Sequence, residues 1–146
     1  MKRGEAARCC ASTAGGFPSV GIWRWGSPRC SDCRIRKGDI YYADLSPAVG
    51  SEMDKRRPVL IVSNDANNRA ATTVTILPIT SNVTRVYPFE VLLNPEDSGL
   101  TKPSKVQAQQ VRTISKQRII VEVVSSFNEK MMVLINTALK LHLGLG

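Results

Sequence analysis

Arg57-Pro58-Val59-Leu60-Ile61-Val62-Ser63-Asn64-Asp65 is the stretch that decides the fold. Pro58 to Ser63 is an unbroken apolar run of strand length, and the absence of alternation predicts a central strand buried on both faces. Asn64 and Asp65 then offer side-chain oxygens to cap a short helical turn through about Ala71. A second run, Thr73 to Ile79, is rich in β-branched residues and ends in Pro78-Ile79-Thr80-Ser81, which predicts another central strand. Working outward, Asp39 to Leu45 reads as a strand with Ile40, Tyr42 and Leu45 inward, followed by a loop through Ser46-Pro47 and Gly50 to Arg57. Phe89 to Leu93 alternates, Asn94 to Pro103 reads as loop, and Val106 to Ile114 and Ile119 to Val124 read as further strands. A helix closes the chain: Ser126 and Glu129 have capping-box spacing, and Met131, Leu134, Ile135, Ala138 and Leu141 recur at helical intervals. Six or seven short strands, one terminal helix and no βαβ repeat predict a mainly β protein, a small antiparallel sheet curled into a barrel.

The composition sets limits on function. At 146 residues, with 42% hydrophobic and 22% charged residues, the chain suits one globular domain. No run of about 18 apolar residues occurs, so no membrane-spanning helix is expected. Gly15 to Trp25 is broken by Pro18 and Arg24, which argues against a secretory signal. The net charge is +8, but residues 1–36 hold seven Lys and Arg against two Asp and Glu. The rest is only mildly basic, which suits a polyanionic ligand without requiring one. All four cysteines (Cys9, Cys10, Cys30 and Cys33) precede residue 35. Residues 1–34 read as a poorly ordered Cys/Arg/Gly-rich extension and 35–146 as the folded domain, whose lack of cysteine fits a reducing cytoplasm. Cys30-Ser31-Asp32-Cys33 is half of a zinc site, but adjacent cysteines make a poor second half, so no metal is assigned.

Several groups have the chemistry of a phosphodiester site. Pro58 fixes its own φ and holds Arg57 extended, so the guanidinium projects from a defined point at a strand mouth. Such a fork matches phosphate geometry; a solvated basic turn of Lys55, Arg56 and Arg57 is the plainer reading. Thr80, Ser81 and Asn82 end the second central strand, where they either bind a phosphate oxygen or make an ordinary turn. Glu52, beside Gly50 and Ser51 in the first loop, is either a general base or an ion-pair partner of Lys55 or Arg56. Gln107, Gln109, Gln110 and Arg112 form a polar row, with Gln107 and Gln109 on one face and Gln110 and Arg112 on the other. That row can read single-stranded bases or be the wet face of a sheet. His142 is the sole histidine and lies at the helix end, where it suits the terminal carbonyls better than catalysis.

These fragments occur in one order. Arg36-Lys37-Gly38-Asp39-Ile40-Tyr41, Ala43-Asp44-Leu45-Ser46-Pro47, Gly50-Ser51-Glu52, Arg56 to Asp65, Pro78-Ile79-Thr80-Ser81, Gln110-Val111-Arg112-Thr113-Ile114 and Ala138 to Leu143 strongly resemble the MazF/PemK toxin family, and its mycobacterial members in particular. The resemblance covers about residues 35–145. It implies an SH3-like barrel that works as a homodimer, with single-stranded RNA (mRNA) across the subunit interface and a cognate MazE-like antitoxin whose tail covers the groove. It implies a sequence-specific, ribosome-independent and metal-independent endoribonuclease without cofactor. The ribose 2′-hydroxyl would be the nucleophile, leaving a 2′,3′-cyclic phosphate or 3′-phosphate and a 5′-hydroxyl. Arg57 and Thr80 match the family's catalytic arginine and threonine. The guanidinium would stabilise the phosphorane and protonate the leaving oxygen, while Thr80 and Ser81 hold a non-bridging oxygen. Glu52 matches an acidic position beside the groove and would be a base or orienter. Ser51, Arg56, Ser81, Asn82, Gln107 and Gln110 would contact RNA.

The sequence departs from the PemK/Kid branch where Gln107 and Gln109 replace an ionisable pair and Ser51 replaces a histidine. Amides do not shuttle protons, so that branch's acid/base assignment does not transfer. Two other readings share the fold. One is a CcdB-like gyrase poison, which needs a Trp-containing C-terminal tail, whereas Trp23 and Trp25 are both near the start here. The other is an inert RNA-binding barrel, against which the retention of both Arg57 and Thr80 counts.

Overall fold

A computed structural model describes residues 35–120 and 123–146. The extension and its cysteines therefore lie outside the described residues. Among the described residues seven strands run β1 Asp39–Asp44, β2 Arg56–Ile61, β3 Thr73–Thr80, β4 Glu90–Leu93, β5 Ser104–Gln107, β6 Arg112–Ser115 and β7 Ser125–Ser126. Helices are α1 Asp65–Ala70, α2 Pro95–Ser98 and α3 Glu129–Leu143. Every pairing is antiparallel, in the order β4-β5-β3-β2-β1-β7, with β6 also on β3.

The sheet curls because β3 serves two partners along one edge. Thr73 to Ile76 pair with β6, and Ile79 and Thr80 pair with β5. The chain crosses from one partner to the other through a 3₁₀ turn at Ala108–Gln110. The single strand expected over Val106 to Ile114 is thus two strands with a turn between them, because one edge must serve both halves of a bent neighbour. Ile119 to Val124 is likewise no regular strand among its described residues. It follows a 3₁₀ turn at Lys116–Arg118 and contributes an isolated bridge between Ile119 and Ala43.

The apolar run of β2 is buried on both faces. Leu60 and Val62 join Ile40, Leu77, Ile79 and Val106 in one core, which α3 covers with Ile135 and Ala138. Val59 and Ile61 join Tyr41, Ala43, Leu45, Val74 and Ile76 in a second core on the opposite face. In β1, Tyr41 is therefore the buried tyrosine, whereas Tyr42 is half-exposed under the guanidinium of Arg56, 5.6 Å from its ring centre. Leu60, with no exposed surface, tests the first core. Leu60→Ala is expected to cost about 2–5 kcal/mol through lost transfer energy and the residual cavity, read as a lower urea midpoint with unchanged slope.

Local chemistry explains the other departures. Asn64 caps α1 through the amide of Asn67, as its position implies. The loop after β4 contains α2, which starts with Pro95 in the first turn and stops at Gly99 in the left-handed conformation. The cap of α3 is Asn128, whose side chain accepts from the amide of Met131, and not Ser126. Ser126 belongs to β7, and its hydroxyl donates to the buried carboxylate of Asp39. Burial pushes the Asp39 carboxyl above its ordinary range despite hydrogen bonds from Ser126 and from the amide of Arg36. On α3 the buried stripe is Ile135 and Ala138, with Met131, Met132 and Leu139 packed beside them. Leu134 and Leu141 stay more than half exposed, because the helix carries more apolar residues than one face holds.

Candidate active site

The register of β2, β3 and β5 sets side chains from distant sequence in one row. Val59 pairs with Pro78; carried two residues further, that register puts Arg57 across from Thr80. On the other edge of β3, Thr80 pairs directly with Lys105. Residues opposite each other in an antiparallel ladder project from the same face, so Arg57, Thr80 and Lys105 share one face across three strands. They line a single cavity of about 380 Å³ together with Met53, Ser81, Asn82 and Gln107. The cavity lies at the mouth of the second core, against which Met53 packs.

Each wall group is held by specific contacts. Lys55, just before β2, takes a positive φ of 68°, and its amide donates to the Ser46 hydroxyl and the Asp54 carboxylate. Hydrogen bonds to the Asp54 carboxylate from the Ser46 hydroxyl and from the Lys55 amide hold it below the ordinary carboxylate range. This bend brings the Asp54 carbonyl to the Nε of Arg57 at 2.8 Å. One edge of the half-buried guanidinium is thereby fixed, and its terminal NH₂ groups make no hydrogen bond to the described residues. The Thr80 hydroxyl accepts from the amide of Asn82 at 3.3 Å, so its own hydrogen stays available to a ligand. The Asn82 side chain in turn accepts from the amide of Thr84.

Below the cavity lies a buried polar cluster. Lys105 Nζ donates to Glu90 Oε2 at 2.8 Å and to the Arg85 carbonyl. The Lys105 side chain is 7% exposed and that of Glu90 1%. Glu90 also accepts from Gln109 at 2.8 Å, Gln107 at 3.3 Å and the amide of Tyr87 at 2.9 Å. Burial pushes the Glu90 carboxyl up, but the hydrogen bonds from Lys105, Gln109, Tyr87 and Gln107 outweigh it and hold the group below its ordinary range. The 3₁₀ turn lets Gln107 and Gln109 converge on one carboxylate, leaving both side-chain carbonyl oxygens buried without a partner. No sequence motif marks Glu90 or Lys105 for a role at the site. A cation two residues before Gln107, on the same strand face, was the available sign.

The remaining residues named from sequence lie outside the cavity wall. Glu52 is exposed, and its carboxylate accepts from the amide of Val49 at 3.1 Å, closing the loop tip. Gln110 donates to the Ser51 carbonyl at 3.2 Å and ties that tip to the body. Arg112 donates to the Leu45 carbonyl, and Arg118 to those of Asp44 and Ser46, so two cations anchor the loop stem. Arg56 alternates away from Arg57 and covers Tyr42. His142 lies 5.9 Å from the Phe89 ring, far from this chemistry in role, and α3 ends instead on Gly144. Among the described residues there is no group of three or more His, Cys, Asp or Glu side chains placed to hold a metal.

Comparison with known proteins agrees over the same region. A family model described as PemK-like, MazF-like toxin of type II toxin-antitoxin systems matches residues 36–143. Endoribonuclease MazF9 of Mycobacterium tuberculosis is 40% identical, covering 76% of this chain and 98% of that protein. Endoribonuclease EndoA of Bacillus subtilis is 36% identical, covering 76% and 96%. Among solved structures, a mycobacterial endoribonuclease in complex with its cognate antitoxin superposes with a TM-score of 0.65 at 30% identity, covering 77% of this chain and 98% of that one. MazF of Deinococcus radiodurans gives 0.65 at 26% identity, covering 75% and 96%. With a curled antiparallel sheet, a closing helix and a family match spanning most of its length, this chain belongs to the PemK-like, MazF-like toxins of type II toxin–antitoxin systems.

Proposed function

We propose that this toxin is a sequence-specific, ribosome-independent endoribonuclease that cleaves single-stranded RNA without a metal or cofactor. The observation that carries this reading is the convergence of Arg57 and Thr80 on one cavity. The relatives named endoribonucleases give the reaction class. The nucleophile is the substrate's own 2′-hydroxyl, which attacks the adjacent phosphorus. The products are a 2′,3′-cyclic phosphate, or the 3′-phosphate it opens to, and a 5′-hydroxyl. A guanidinium keeps its protons in proteins, so Arg57 acts as a fork of donors for the phosphorane oxygens, not as a base. Thr80 donates to a non-bridging oxygen, and Ser81 and Asn82 extend that wall. Gln107, whose side-chain nitrogen already donates one N–H to Glu90, offers its remaining N–H to a neighbouring nucleotide. Arg56, Ser51 and Gln110 border the approach, where an exposed cation favours the RNA backbone. Glu52 enters the reaction only if RNA draws the loop tip inward; otherwise the 2′-hydroxyl proton passes to water.

The chain works in the cytoplasm as a homodimer, held off RNA by a MazE-like antitoxin. Leu134 and Leu141 of α3, more than half exposed, leave apolar area that a second copy would cover. Purified protein is expected to cut single-stranded RNA at one short sequence with chelator present. Mapping both ends of the fragments checks this: 5′-hydroxyl ends are required, and 5′-phosphate ends or dependence on added metal would refute the mechanism.

A further inference from the structure

Lys105 makes the third member of the transverse row, facing Thr80 across the ladder and lining the same cavity as Arg57. A lysine this deeply buried is uncommon unless paired. Its partners account for two of the three ammonium hydrogens: Glu90 Oε2 takes one and the Arg85 carbonyl another. The Tyr87 ring centre, 6.0 Å away, is at the outer limit of a cation–π contact. One N–H therefore remains for whatever fills the cavity. Glu90 is itself fixed by Gln107, Gln109 and the amide of Tyr87, so the ammonium sits on a braced carboxylate and not on a mobile surface stem.

Cleavage needs a proton for the departing 5′-oxygen. Arg57 suits charge neutralisation, but a guanidinium gives up a proton far less readily than an ammonium. We propose, resting on the ribonuclease reading above, that Lys105 is the catalytic proton donor to the 5′-oxygen, and that Glu90 is the positioning residue that aims it. In the step, the bond from the 2′-oxygen to phosphorus forms and the bond from phosphorus to the 5′-oxygen breaks. The 2′-hydroxyl proton goes to water, the 5′-oxygen takes a proton from Lys105 Nζ, and water returns one to the amine.

The test uses two RNA oligonucleotides, one natural and one with sulfur in place of the 5′-bridging oxygen at the mapped cleavage site. Sulfur leaves as a thiolate and needs no proton. The protein is the full chain carrying Glu90→Gln with Lys105→Met, which removes both charges and leaves no lone buried ion, compared with Glu90→Gln alone and with wild type. Relative to wild type, the double variant is expected to cut the natural RNA about 10²-fold or more slower, with KM little changed, and Glu90→Gln alone to lose less, because its ammonium is present but no longer aimed. On the sulfur substrate its loss is expected to stay within about tenfold. Lys105→Arg, which keeps the charge but not the acidity, is expected to show the same substrate pattern. Equal losses on both substrates, or no loss on natural RNA, would overturn the proton-donor role. A wild-type protein inert on both would instead refute the ribonuclease reading itself.

Discussion

Arg57→Ala is expected to reduce kcat for RNA cleavage by about 10²–10³-fold or more while leaving the fold and the proposed dimer unchanged. The magnitude follows from what the side chain is positioned to do. In the proposed mechanism, charge accumulates on the phosphoryl oxygens only as the 2′-oxygen attacks, so a fixed fork of donors stabilises the transition state more than the bound RNA. Arg57 is fixed at one edge by the Asp54 carbonyl, and its position is set by the ladder of β2 with β3. The variant gives up a single hydrogen bond to a backbone carbonyl at a wet, half-exposed site, worth about 1 kcal/mol. Single-turnover cleavage, thermal melting and gel filtration separate the two effects. Arg57→Lys is expected to recover only part of the rate, because a point charge replaces a planar fork. An Arg57→Ala protein that cleaves at the wild-type rate would remove Arg57 from the mechanism.

The parts of this fold that could be read from sequence are those set by local pattern. The unbroken apolar run at Pro58 to Ser63 announced a strand buried on both faces, and β2 divides its side chains between two cores. Asn64 announced the cap of α1. What stayed hidden depends on tertiary geometry. Nothing between Val106 and Ile114 signals a break, because the 3₁₀ turn there is imposed by the two partners of β3 and not by a glycine or proline. Ser126 lost the capping role to Asn128 because the last β-ladder, on Asp39 and Ile40, claimed it first. The site divides in the same way. Arg57 and Thr80 stand at strand ends beside prolines and were legible as motif fragments. The Lys105–Glu90 pair joins residues fifteen apart across a β4–β5 ladder, and no spacing rule marks such a pair as buried.

That pair gives the second large effect, and its sign depends on pH. Lys105→Met is expected to destabilise the protein by about 3–5 kcal/mol at pH 7, because it strands a buried carboxylate. In the wild type, burial pushes the Glu90 carboxyl up but its hydrogen bonds hold it below the ordinary value. Its stabilising contribution is then fully present above the unfolded glutamate pKa, near 4.3–4.5, and is lost as pH falls through the lower folded value. Without the ammonium, burial dominates and the folded pKa rises above the unfolded one. The sign reverses: the variant gains stability as pH falls and loses it as pH rises through the raised folded value. Urea midpoints measured from pH 7 to pH 4 should therefore converge, with the deficit at pH 4 less than about half that at pH 7. Glu90→Gln in the Lys105→Met background should recover most of the loss at pH 7 and abolish the convergence, since no carboxylate remains to titrate. A deficit of constant size across that range would mean that Met at position 105 destabilises through packing alone, and that Glu90 is reached by water once its partner is gone.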